Sequence, residues 1–215
     1  MKNDLLAFEK KLWNKSIGYI AGIDEVGRGA FAGPMVVAAV ILSKNHLEAL
    51  DDLNDELKLY TQINDFKLLT PKKRGIISDF LQKESLSYSI VEISNDEIDK
   101  IGLTSCTQKL FYESVLKLSV KPEHILTDTF EIKSIDRTYQ TNITKGDTKS
   151  ITIAAASIIA KVYRDNLMIK IHNMSDKYKV YGFDKHKGYG TKLHREMIEK
   201  YGYSDLHRQS FHFKK

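Results

Sequence analysis

The chain has 215 residues, 42% of them hydrophobic and 28% charged, with 12 glycines and 3 prolines, which describes a globular chain with a real core and excludes a disordered or linker-dominated one. Its formal charge is +5, from 33 Lys plus Arg against 28 Asp plus Glu, a mild excess that permits a polyanionic partner without requiring one. The single cysteine, Cys106, excludes an internal disulfide and a cysteine-based zinc cluster. The N-terminus mixes charge into its apolar residues and lacks a signal-peptide core, and the apolar stretch 31–42 is too short and too β-branched to cross a bilayer. A cytoplasmic protein with no membrane partner is expected.

Residues 17–24 (IGYIAGID) are apolar and bounded by glycines, which predicts a buried strand, and 35–42 (MVVAAVIL) predicts a second, joined through GRGAFAGP. Thr70 and Pro71 before KKRGIISDFLQK predict a helix with a hydroxyl N-cap and a proline in its first turn. Residues 85–93 alternate apolar and polar, a third strand. Asn95 is the expected cap of a short helix, and 103–118 forms a longer one carrying Cys106 as a half-buried, inert thiol. A strand over 123–127 ends at Asp128, and a weaker strand follows over 139–143. Residues 150–171 predict a long apolar helix whose three adjacent alanines and Ser157 suit close packing on a sheet. A last helix covers 191–201. Beyond about residue 175 the chain turns basic, aromatic and glycine-punctuated. The expected organisation is one mixed α/β domain over 1–215, with residues about 175–215 forming a C-terminal helical, basic lobe.

Gly27, Gly29 and Gly33 after an apolar strand invite comparison with a dinucleotide fingerprint. The spacing is one residue too long, and a β-branched segment follows where the fingerprint needs a helix N-terminus. Asp24 and Glu25 stand directly before the loop, so a phosphate arriving there needs a cation with it. An isolated acidic pair is ordinarily a surface turn, but this one follows a buried strand, where unpaired charge is expensive. Asp128 ends another apolar strand and Asp147 precedes the alanine-rich helix, so four carboxylates can meet at one end of a mixed sheet. Two divalent ions would balance their charge, and hard oxygen donors select Mg2+ or Mn2+ over zinc. Neighbouring strand residues point to opposite faces, so Asp24 and Glu25 share a site only if the strand ends or twists there.

The segments AGIDEVGRGAFAGPMVVAAVIL, KGDTKSITIAAASIIAKVYRD, YGFDKHKGYGT and LHRQSF resemble the bacterial ribonuclease HII family over about residues 17–211. The sister family, ribonuclease HIII, is a poorer match because its extra N-terminal substrate-binding domain has no room here. The resemblance implies a ribonuclease H-like mixed β-sheet flanked by helices, with a small C-terminal helical region. It implies a monomeric endonuclease that cuts the RNA strand of RNA–DNA hybrids and nicks duplex DNA at embedded ribonucleotides. Two-metal hydrolysis with Mn2+ or Mg2+, both ions present with substrate bound, would leave 5′-phosphate and 3′-hydroxyl ends. By motif, Asp24, Glu25, Asp128 and Asp147 match the catalytic metal-binding acids. Gly27, Arg28 and Gly29 match the loop that reads the ribonucleotide junction, and Tyr189 the tyrosine that stacks on the sugar. Lys67 matches a phosphate contact, although Asp65-Phe66-Lys67 stands where the family usually has Asp-Ser-Lys. Thr129 replaces a common glycine after the third acid, which implies a slightly different backbone there.

Lys161, Arg164, Lys185, Lys187, Lys192 and Arg195 are candidates to line a duplex, with a solvated position or an Arg164–Asp165 pair as the plainer reading. The histidines lack metal-ligand spacing. The tail Gln209-Ser-Phe-His-Phe has the wrong spacing for a sliding-clamp peptide, so Phe211 is expected to pack on the domain. The competing readings are a non-catalytic nucleic-acid-binding module and another ribonuclease H-fold nuclease, of the junction-resolvase or ribonuclease HI type. Retention of four acids disfavours the first, and the GRG loop disfavours the second.

Overall fold

A five-stranded mixed sheet forms the centre of the computed structural model, which describes residues 5–48, 59–63 and 69–212. Strand β1 (Ile20–Val26) lies between β2 (Met35–Ile41), antiparallel to it, and β4 (His124–Asp128), parallel to it. β3 (Ser87–Ile93) extends the antiparallel side and β5 (Gln140–Ile143) the parallel side, giving the order β3-β2-β1-β4-β5. The helices are α1 (Ala7–Trp13), α2 (Lys44–Glu48), α3 (Pro71–Glu84), α4 (Asn95–Ile101), α5 (Leu103–Leu116), α6 (Ile151–Met174), α7 (Asp176–Lys179), α8 (Phe183–His186) and α9 (Lys192–Tyr201). Among the described residues, no helix is long and apolar enough to cross a membrane.

The two-residue period of a strand divides β2 between two cores. Val36, Ala38 and Val40 join α1, α3 and α6 on one face, while Met35, Val37, Ala39 and Ile41 join α4 and α5 on the other. Cys106 lies wholly buried in the second core, deeper than the half-buried position expected of it, because α5 turns it directly onto the sheet. A third cluster, Ala32, Met168, Tyr181 and Phe183, joins the far end of α6 to the C-terminal segment. The alanines Ala154, Ala155 and Ala156 are fully buried, and they let α6 come so close to β1 that a Cβ at Gly22 would collide with the Thr152–Ile153 backbone.

Thr70 caps α3 as expected, its hydroxyl accepting from Lys73 N at 3.3 Å. The cap of α4 is Ser94, not Asn95. Ser94 Oγ accepts from Glu97 N at 3.2 Å, while Asn95 turns its amide to the Asp205 carbonyl at 2.8 Å. Both residue types can cap, and the distant carbonyl decides between them. α1 carries Glu9, fully buried, whose Oε1 accepts from Ser150 Oγ (2.6 Å), Thr152 Oγ1 (2.9 Å) and Thr152 N (3.2 Å) at the N-terminus of α6. Burial pushes this carboxyl above its ordinary range, and the hydrogen bonds oppose that push. The helix terminus supplies partial positive charge to the same carboxylate.

Two alanine substitutions test the helix–sheet approach. Gly22→Ala should lower the urea unfolding free energy by about 3 kcal/mol, because the Cβ meets backbone that cannot yield. Gly75→Ala, inside α3 with open space around its Cβ, should raise it by about 0.5–1 kcal/mol. Equal effects of the two would contradict the close contact of α6 with β1.

Candidate active site

β1 does not end at Asp24. Its ladder with β2 continues through Asp24↔Ala38, Glu25↔Val37 and Val26↔Val36, whereas its ladder with β4 stops at Ile23↔Thr127. The separation the acidic pair requires therefore arises on the β4 side only. Asp24 turns toward α6 and Asp128 closes β4 next to it, while Glu25 N–H donates to Asp24 Oδ1 at 2.7 Å.

The three acids share one electrostatic environment. Burial, then Glu25, then Asp128 drive the Asp24 carboxyl well above the usual carboxylate range, and a hydrogen bond from Ser157 on α6 works the other way. Burial and the Asp128 charge push Glu25 up to about 7, against the pull of the Arg28 guanidinium. Glu25 Oε2 is buried without a hydrogen-bond partner. Asp128 Oδ1 accepts from Gly146 N (2.8 Å) and Thr129 Oγ1 (3.1 Å). Gly146 opens the 3-10 turn Gly146–Thr148, so buried Asp147 stands one residue from the amide that fixes Asp128. Thr129 takes φ 63°, a left-handed conformation that is strained for a β-branched residue.

Among the described residues no three histidine, cysteine or acidic side chains enclose a metal position by themselves. The donors nevertheless fit a hard divalent cation. They are carboxylate oxygens, one of them is orphaned, and two of the three carboxyls are raised by burial and then by a neighbouring acid, both of which a bound cation would offset.

The glycine loop beside these acids is clamped from behind. Arg164 of α6, fully buried, donates to the carbonyls of Pro34 (2.8 Å), Lys187 (2.9 Å) and Ala32 (3.1 Å). Arg208, also fully buried, donates to those of Gly27 (2.7 Å), Arg28 (2.9 Å) and Gly33 (3.0 and 3.2 Å). Main-chain bonds from Phe31 N to Gly188 O and from Gly33 N to Leu206 O, each 2.8 Å, complete the clamp. Gly27 has φ 83° and no room for a Cβ against Arg164, whereas Gly29 is exposed with open space around it. Tyr189 reaches the same loop, its hydroxyl accepting from Gly27 N at 3.2 Å and its ring lying 5.3 Å from the Arg164 guanidinium.

Behind Tyr189 lie three histidines. His194 Nδ1 meets the Tyr189 carbonyl (3.0 Å), its Nε2 meets His207 Nε2 (3.1 Å), and its ring stacks on His186 at 4.3 Å. Burial lowers all three, His194 and His207 to about 4, which keeps them neutral. They hold the lobe together and are not arranged as metal ligands.

The structure thus brings together Asp24, Glu25, Asp128, Gly27, Arg28, Gly29 and Tyr189, with Asp147 adjacent. Lys67, with Asp65 and Phe66, lies outside the described residues. Arg164 is a buried clamp and not a duplex contact, and Asp165 pairs with Lys161 at 2.8 Å instead. Phe211 packs on Phe31 with ring centroids 5.9 Å apart, as expected. The clamp has a readable signal: Ser157, Lys161, Arg164 and Met168 fall on one stripe of α6, and each touches Asp24, Tyr189 or the glycine loop.

A mixed sheet of this order, with acids where β1 and β4 part, defines a ribonuclease H-like nuclease. Solved structures agree on the fold. Ribonuclease H2 from Pyrococcus horikoshii superposes with TM-score 0.70 at 24% identity, covering 90% of this chain and 93% of that one. Ribonuclease HII in its complex with PCNA from Archaeoglobus fulgidus gives 0.73 at 24% identity, covering 92% and 96%. The chain belongs to the ribonuclease HII family, whose family model matches residues 21–214. Ribonuclease HII of Clostridium beijerinckii is 47% identical over 202 residues, 93% of this chain and 70% of the relative. That of Acholeplasma laidlawii is 41% identical over 211 residues, 98% and 96%. The protein is accordingly a ribonuclease H of type HII.

Because Glu25 and Asp24 bind protons more tightly folded than unfolded, they favour the metal-free fold at low pH and disfavour it as pH rises through about 7. In EDTA, Glu25→Gln should therefore melt several degrees higher than the unmodified protein at about pH 8, with the gap closing toward about pH 5. Added Mn2+ should raise Tm of the unmodified protein more than that of the variant. A Glu25→Gln Tm below that of the unmodified protein at the higher pH would contradict the repulsion.

Proposed function

We propose that this ribonuclease H cuts the RNA strand of RNA–DNA hybrids and nicks duplex DNA at embedded ribonucleotides, preferring the RNA-to-DNA junction and using Asp24, Glu25, Asp128 and Asp147 as its catalytic acids. The observation that carries the reading is the shared electrostatic environment of Asp24, Glu25 and Asp128, the first two raised by burial and then by a neighbouring acid, directly beside the clamped glycine loop. Two divalent ions, Mn2+ or Mg2+, bound with substrate by these carboxylates, supply Lewis-acid stabilisation of the phosphate and a more acidic attacking water. A neighbour in fold, Bst-RNase HIII, was solved in complex with Mn2+ (TM-score 0.67, 20% identity).

The chain's own groups do the selecting. Water adds to phosphorus, the bond to the 3′-oxygen breaks, and the products are a 5′-phosphate and a 3′-hydroxyl. Asp128 is oriented by Gly146 N and Thr129 Oγ1, which both donate to its Oδ1. Gly29, bare and exposed, lets main chain approach a 2′-hydroxyl, the group that separates RNA from DNA. Arg28 meets a phosphate edge-on. Tyr189 offers a ring face to the neighbouring deoxyribose, where a second 2′-hydroxyl fits poorly. Lys67 adds a phosphate contact. One chain supplies every group, as a monomeric single catalytic domain requires, and residues about 175–215 serve as its substrate-facing lobe. RNA–DNA hybrids and DNA duplexes carrying ribonucleotides are the partners.

A duplex with one embedded ribonucleotide tests this directly. The unmodified protein should nick it in Mg2+ and Mn2+, and Asp24→Asn or Asp128→Asn should lose at least about 1,000-fold in rate while still folding. Tyr189→Ala should narrow the preference for the junction over an all-RNA hybrid. Full turnover by Asp128→Asn in both metals would sink the catalytic assignment.

A further inference from the structure

Of the three arginines at the glycine loop, Arg164 and Arg208 are fully buried and bonded to carbonyls. Arg28 differs. Among the described residues its guanidinium forms no hydrogen bond and no ion pair, and its Nε is buried without a partner. Glu25 attracts it from a distance without bridging it. Among the described residues its guanidinium sits over a ring: the guanidinium carbon lies 4.5 Å from the centroid of Phe130.

Phe130 reaches that position through a tight turn. Phe130 N–H donates to the Asp128 carbonyl at 2.7 Å across Thr129, whose φ is 63°. This is a three-residue γ-turn of the rare, positive-φ form. One corner of three residues therefore carries an acid at its first position and the support of an arginine at its third. A guanidinium held over a ring face loses freedom to swing while its N–H groups stay free to bond elsewhere. The main chain of Arg28 is already held by Arg208 at 2.9 Å, so the ring fixes the remaining degrees of freedom.

We propose that Phe130 is a positioning residue: its ring holds the Arg28 guanidinium so that its unpaired N–H groups face a substrate phosphate in register with Asp128. This rests on the reading of Arg28 as a phosphate contact given above. A phenylalanine two residues past a strand-end acid otherwise has the plain role of filling the second core, against whose buried residues it packs. The two roles differ in what they do to phosphate binding.

Equilibrium binding to a duplex with one ribonucleotide, measured by anisotropy in EDTA across a salt series, separates them. Arg28→Ala should reduce the slope of log Kd against log salt by about 0.9, the share of one phosphate. Phe130→Leu, which keeps apolar volume but has no π face, should weaken binding about fivefold and reduce the slope in the same direction. Phe130→Tyr should restore both, and adding Phe130→Leu to Arg28→Ala should weaken binding no further. With metal present, Phe130→Leu should raise KM more than it lowers kcat. If Arg28→Ala lowers the slope but Phe130→Leu does not, or if the two losses add fully, Phe130 is only core and the inference is overturned. An unchanged slope for Arg28→Ala overturns the phosphate reading of Arg28, and the inference with it.

Discussion

Arg164 and Arg208 are fully buried, and neither forms an ion pair among the described residues. Burying an unpaired cation costs several kcal/mol after relaxation, and each also repels the other: burial and then Arg164 push Arg208 down to about 10. What offsets that cost is the saturation of both forks with carbonyls of residues 27–34 and 187, since hydrogen bonds from charged donors contribute roughly 1.5–3 kcal/mol apiece. The dependence runs both ways. Without the arginines, carbonyls of the glycine loop would lose their charged donors; without the loop, the two charges would lose most of their partners. A helix from the middle of the chain's second half and a segment near residue 208 thus shape a turn over residues 27–34.

The loop conformation passes directly into the chemistry. Gly27 is left-handed because Arg164 fills the space a side chain would need. Gly29 emerges bare at the surface, and Tyr189 is tied to Gly27 by its hydroxyl. On the sheet side the constraint is different. β1 stays paired to β2 while parting from β4, so adjacent residues of opposite face direct charge into one opening shared with Asp128. The two sides differ energetically as well. The clamp is saturated with hydrogen bonds, whereas the acids repel one another and leave Glu25 Oε2 orphaned. Such concentrated, uncompensated charge is characteristic of a site that is completed by its ligands.

Local signals made the strands, the α3 cap, the alanine-rich helix and the four acids legible in the chain. Asp128 ends β4 because an apolar run stops there, and a period-2 pattern with a stop needs no distant partner to be read. What escaped was set at long range. Ser94 displaced Asn95 as a cap because Asn95 had a carbonyl at Asp205 to meet. β1 ran past Asp24 because β2 continued to pair with it. The role of α1 rests on Glu9 meeting the start of α6, 141 residues away. Arg164 read as a surface base because its fork is filled by backbone, and carbonyl partners leave no mark in a sequence.

Hydrogen exchange across residues 27–34 of Arg208→Lys, paired with the proposed preference for an RNA–DNA junction over an all-RNA hybrid, tests the clamp most directly. A lysine keeps the charge but cannot make the fork's bonds to three separate carbonyls. Protection in the loop should fall and the junction preference should shrink, while the strands of the sheet keep their protection. Unchanged loop protection together with unchanged preference would contradict the claim that buried guanidinium groups set the shape of this site.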